Sequence, residues 1–193
     1  MSGESDRLPP GLVQLLLLAA VFFLPLLVAS WIYYSGGAMA PEGRTNHGAI
    51  LEPIVNARER LPNSQAAALS ADHWLLVYAD EGRCEDACFE ALFRLRQSRL
   101  MLGPDMDRVQ RVFLHGRMAP DRVFLEEQHP GLAALRDPEL ARLLAEKRPE
   151  GLRPGGLFLI DPLGNLVMYF SPDIAPGDMV DDIEHLLDVS RIG

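Results

Sequence analysis

Cys84 and Cys88 are the two cysteines of this 193-residue chain, and they stand four apart in DEGRCEDAC (80–88). On helical geometry that spacing brings two Cα atoms to roughly 6 Å, within reach of a disulfide. As thiolates the same side chains can attack a disulfide or ligate a soft ion such as Cu(I), which takes sulfur and low coordination numbers. A small structural disulfide, or two core thiols, is the alternative, and the spacing leaves both open. Two cysteines exclude a disulfide-stapled scaffold and any zinc site with three or four Cys ligands. Around the pair Asp80, Glu81, Glu85, Asp86 and Glu90 outweigh Arg83. Such a field raises thiol pKa values and attracts a cation or a basic partner, or it simply complements a helix N-terminus.

The pair needs a strand before it and a helix after it. HWLLVYA (73–79) is a short apolar run with the character of a buried strand. In FEALFRLRQSRLML, Phe89, Leu92, Phe93, Leu95 and Leu100 recur at helical spacing, and Gly103-Pro104 stops the helix. RVQRVFLHG (108–116) is the next strand, whereas DRVFLEEQHPGLAAL carries no single period. DPELARLLAEKRPEG reads as a helix with Asp137 as N-cap and Pro138 at its first position. GGLFLID and NLVMYF form two strands about Pro162-Leu163-Gly164-Asn165, and GDMVDDIEHLLDVSRI closes the chain with an amphipathic helix. This order implies an α/β sandwich with helices on a mixed sheet.

Residues 11–34, GLVQLLLLAAVFFLPLLVASWIYY, hold 24 positions without a charge, enough to cross a hydrocarbon core about 30 Å thick. Trp31, Tyr33 and Tyr34 suit the headgroup level at its C-terminal end. Ala38-Met39-Ala40 imitates a signal cleavage site, but the apolar stretch is long and its leading segment acidic, which favours an uncleaved anchor. The expected organisation is a cytoplasmic N-terminus at 1–10, a transmembrane anchor at 11–34, a tether at 35–71 leading into an edge strand or loop, and a folded domain at 72–193. The net charge of -9 excludes sequence-independent nucleic-acid binding, which rests on basic side chains. Without residues 1–34 there remain 25 acidic and 17 basic residues, so the soluble part is distinctly acidic. Glu184-His185 on the last helix, with Asp181 and Val189 at i-4 and i+4 of the histidine, suggests no metal site by itself, and no serine nucleophile motif, phosphate loop or paired-carboxylate arrangement stands out.

With its anchor, its strand running into the CxxxC of Cys84-Glu85-Asp86-Ala87-Cys88, and LFLIDPLGNLVMYF before the last helix, the chain resembles the Sco (SenC) family of membrane-anchored, thioredoxin-like proteins. TNHGAIL after the anchor is also similar to a segment in small membrane proteins that accompany oxidase assembly genes. The resemblance implies a thioredoxin-like fold and a part in assembling the copper centre of cytochrome c oxidase. Oxidase subunits or assembly factors would then be the partners, and copper handled at Cys84 and Cys88 the metal. It also implies a bacterial inner-membrane protein with its C-terminal domain in the periplasm, where cysteine pairs oxidise. Two departures stand out. The family's third copper ligand, a His about eight residues before the Asp of the hairpin turn, falls on Arg153, and Phe89 replaces the usual Pro after the second cysteine. His115 and His129 are the candidate substitutes for that imidazole. Pro154 precedes GGLFLID much as the cis-Pro of thioredoxin-like folds precedes its strand and packs on the active cysteines, so the resemblance implies a catalytic role for it beside Cys84 and Cys88, with Arg153 close by.

Overall fold

The computed structural model describes residues 9–34, 46–118 and 120–190 and divides into two units, at 1–45 and 46–193. In the first, α1 (Pro10–Tyr34) is a 25-residue helix with Pro25 inside it. At 1.5 Å per residue it is about 37 Å long, and Gly11–Val28 is long and apolar enough to cross a membrane. It fits a membrane anchor. Ala38-Met39-Ala40, residues 1–8 of the N-terminus expected in the cytoplasm and residues 35–45 of the expected tether lie outside the described residues.

The second unit runs β1 (Ala49–Asn56), α2 (Ala57–Arg60), α3 (Gln65–Ala68), β2 (Trp74–Asp80), α4 (Asp86–Met101), β3 (Val109–His115), α5 (Arg122–Gln128), β4 (Ala133–Leu135), α6 (Pro138–Lys147), β5 (Leu157–Ile160), β6 (Asn165–Phe170) and α7 (Pro176–Val189). Six strands form one mixed sheet in the order β1-β6-β5-β2-β3-β4. β2, β3 and β4 are parallel, and β5, β6 and β1 add antiparallel neighbours. This is the α/β thioredoxin-like architecture expected from the sequence.

Period-two alternation sorts the strand side chains onto two faces. Trp74, Leu76, Tyr78, Val109, Phe113, Leu157 and Leu159 pack under α4 and α7. Leu75, Val77, Val112, Leu114, Phe158 and Ile160 pack with Leu140, Leu143 and Leu144 of α6 on the other face. Burial on both sides explains why β2 and β5 read as unbroken apolar runs. Asp137 caps α6 as its sequence promised, accepting the Leu140 N–H at 3.0 Å, and it also accepts the Ser64 hydroxyl at 2.6 Å.

Two expectations change. The tether was expected to reach residue 71, yet β1 pairs antiparallel with β6, so the folded unit begins at Asn46. Of the edge strand or loop expected there, the edge strand is formed, held by ladder hydrogen bonds and the buried Leu51. On α4 the buried stripe is Cys88, Ala91, Leu92, Leu95 and Ser98. Phe89, Phe93 and Leu100, expected on the apolar face, are 41%, 55% and 48% exposed. One residue is 100° of helix, which turns Phe89 and Phe93 out of the stripe that meets the sheet.

Candidate functional site

Parallel β2 and β3 end side by side, and their ends build the site. The Gly116 N–H donates to the Asp80 carbonyl at 3.0 Å. A Cβ at Gly116 would stand 2.1 Å from the Glu81 carbonyl oxygen, so this backbone approach admits only glycine. The Asp80 carboxylate accepts the Gly82 N–H at 2.8 Å and the Tyr78 hydroxyl at 3.2 Å. Burial first, then the neighbouring Asp80 charge, pushes the Tyr78 phenol well above its ordinary value. The chain then rises through 81–85 into α4, whose N-cap residue Glu85 makes no side-chain capping bond. The first-turn amides therefore receive no acceptor from the N-cap side chain beside the cysteines.

Cys84 and Cys88 form a disulfide with a Cα–Cα distance of 5.1 Å. Cys88 is 1% exposed and belongs to the core under α4, while Cys84 is half-buried and packs against that core from outside. Cys84 opens onto a cleft of about 560 Å³, lined by Arg83, Phe89, Met118, Val123 and Phe124 among others. Phe89 meets Phe124 edge-on with ring centroids 5.0 Å apart, joining the first turn of α4 to α5. The residues opposite Cys84 come from the stretch whose period was ambiguous. Asp121 was its legible signal, since its side chain caps α5 by accepting the Val123 N–H at 2.7 Å and the Phe124 N–H at 3.2 Å.

Other sequence candidates lie elsewhere. Among the described residues the cis peptide bond is Glu52–Pro53, so Arg153–Pro154 is trans, the default for an X–Pro bond. Pro154 lines a separate cleft with Ala79, Ala141, Leu144 and Tyr169, on the α6 face of the sheet rather than with the disulfide. Gly156 passes so close to the Phe170 carbonyl that a Cβ would stand 2.0 Å from it, so the backbone approach beside Pro154 admits only glycine. Arg153, expected near the sulfurs, forms an ion pair with Asp173, and its carbonyl accepts the Tyr169 hydroxyl.

Neither histidine lines the Cys84 cleft. His115 lines a neighbouring one with Arg83 and Arg136, its Nδ1 2.9 Å from the Gly116 carbonyl oxygen. His129 is buried edge-on against Phe124. Burial, then the charges of Arg111 and Arg96, hold its imidazole below the ordinary value. Arg111 is itself buried, which lowers its guanidinium to about 10. The sulfur donors are the two cysteines when the pair is reduced and the Met118 thioether on the same lining, where Asp121, Glu127 and Gln128 add oxygens but no imidazole. The sulfur set suits Cu(I), whereas Cu(II) wants nitrogen and oxygen.

Residues 74–190 match the family model described as transmembrane-like, thioredoxin-like, C-terminal domain. No curated protein sequence matches the chain. Among solved structures, yeast Sco1 with copper bound is 18% identical with a TM-score of 0.51, covering 64% of this chain and 81% of that one. Arabidopsis thaliana ScoI with copper bound is 17% identical with a TM-score of 0.50, covering 64% and 89%. The apo Sco1 protein of Thermus thermophilus is 25% identical with a TM-score of 0.47, covering 62% and 83%. The likenesses to the yeast and Arabidopsis proteins are of fold.

Proposed function

The chain belongs to the transmembrane-like, thioredoxin-like C-terminal domain family, and from that premise we propose that it is a single-pass membrane protein whose Cys84–Cys88 pair exchanges disulfides with a partner or passes Cu(I) to it in cytochrome c oxidase copper-site assembly. One observation carries the reading: a half-buried Cys84 opens onto a cleft while Cys88 sits buried at an uncapped helix start. In the reduced protein the Cys84 thiolate attacks a partner disulfide, forming a mixed disulfide and releasing one partner thiolate. Cys88 then attacks the Cys84 sulfur, so the partner leaves with two thiols and the pair ends as a disulfide. The partner gains two electrons and the pair loses them. For copper, the two thiolates hold the ion as cargo and hand it on. The orientation we propose keeps the N-terminus in the cytoplasm and the cysteines in the periplasm, where a reporter fused after Gly193 should be active.

Cys88→Ser removes the resolving thiol, so the mixed disulfide is expected to persist as a partner adduct on non-reducing gels, whereas Cys84→Ser gives none. The burial of Cys88 favours a second reading, an assembly scaffold with a structural bond. A reduction potential below about -300 mV, with oxidase maturation unimpaired in Cys84→Ser, would establish that reading and end the first.

A further inference from the structure

His47 lies far from the disulfide in sequence and takes no part in its chemistry. On α7, Asp178, Asp181 and Asp182 occupy positions i, i+3 and i+4 and so share one helical face. Asp182 is buried, and its charge is met by backbone: its two oxygens accept the His47 N–H at 3.0 and 2.9 Å, and one accepts the Gly48 N–H at 2.7 Å. From the other side Gly48 is pressed against β6, where a Cβ would stand 2.7 Å from the Met168 sulfur and the Phe170 ring. The backbone that carries the imidazole is therefore clamped at both ends.

That clamp sets the His47 ring beside the other two carboxylates. Its Nδ1 is 4.0 Å from an Asp178 oxygen, and one ligand atom each of His47, Asp178 and Asp181 all lie within 4.8 Å of one another. Among the described residues, neither Asp178 nor Asp181 accepts a hydrogen bond, so two like charges on adjacent turns stand close together with an imidazole beside them. We propose that His47, Asp178 and Asp181 bind a divalent first-row transition-metal ion.

One nitrogen and two carboxylate oxygens form a set for Zn²⁺, Mn²⁺ or Cu²⁺ and a poor one for Cu(I). Ligand bonds of about 2.0–2.2 Å need donors roughly 3.5 Å apart, a contraction that the half-buried Asp178 and exposed Asp181 side chains can make by rotation. Three protein ligands leave the remaining positions to water or to a donor from another molecule. Asp182 acts as the positioning residue, since it fixes the imidazole through the backbone and not through the ring.

Calorimetric titration of the full chain in detergent micelles with zinc chloride, the Cys84–Cys88 bond intact so that no thiol competes, tests the site. Binding of one equivalent is expected. His47→Ala and Asp181→Asn should each weaken it at least ~10-fold, since loss of groups that merely support a ligand already costs 10–100-fold. Glu184→Gln on the same helix and a Cys84→Ser/Cys88→Ser double variant should bind as the wild type does, which separates this site from any copper on the sulfurs. Absence of saturable binding, or His47→Ala binding as tightly as wild type, overturns the proposal. Should circular dichroism show His47→Ala misfolded, the exposed Asp181→Asn decides alone.

Discussion

Burial divides the two sulfurs of the pair. Cys84 lies half-buried on an open cleft and Cys88 is 1% exposed within the core, so attack by any reagent falls first on Cys84. After reduction, iodoacetamide should alkylate Cys84 at least ~10-fold faster than Cys88, as followed by peptide mass spectrometry; equal rates would remove the assignment of attacking and resolving roles. His129 supplies a pH dependence of opposite origin. Its folded pKa lies below the unfolded value of about 6.5, so between those two values the unfolded chain holds more protons. Stability therefore rises with pH through that window and is lost as pH falls below about 6.5. Thermal melts at pH 7.5 and 5.5 should show a smaller acid drop in His129→Gln than in wild type, and identical drops would exclude His129 as the source.

The loop that presents Cys84 owes its place to two strand ends rather than to the cysteines. Gly116 lets the turn after β3 touch the backbone at Glu81, and because the opposing atom is a carbonyl, Gly116→Ala cannot be absorbed by a rotamer change. Overpacking of this kind costs about 1–3 kcal/mol. A lower urea midpoint together with a shifted reduction potential is expected, and an unmoved midpoint would show that the loops part freely. The apolar pattern located β2, α4, β3, α6, β5, β6 and α7, the strands as short apolar runs and the helices by a buried stripe. It left β1 open between an edge strand and a loop, because Leu51 is the one buried residue of the strand and Pro53 interrupts the pattern, and it left α5 ambiguous, because that helix buries no residue of its own. At the site, Cys84 and Cys88 were legible from type and spacing. Pro154 lines a different cleft from Cys84 because distance along a chain does not report which face of a sheet a residue joins, and the lining by Phe89, Met118 and Val123 with the half-buried Phe124 was invisible because apolar side chains outside the core look like core in a one-dimensional pattern.

Across the whole chain the two units behave as different materials. α1 is apolar on all sides, whereas the unit from Asn46 has its own two-sided core and an acid excess. A chain starting at Asn46 should stay in the aqueous phase after alkaline carbonate extraction while the full chain stays with the membrane pellet, and pelleting of both would mean that a second surface binds lipid. The sheet holds a last consequence. At one edge β1 carries Pro53, which has no N–H to donate, and its register breaks between Ile50 and Val55; at the other, β4 is three residues long. Both borders are poor templates for a ladder of backbone hydrogen bonds, which disfavours recognition by strand addition. A protein that trades disulfides here would then be held chiefly by side chains and one covalent link, and once that link is resolved little woven into the backbone would delay its departure.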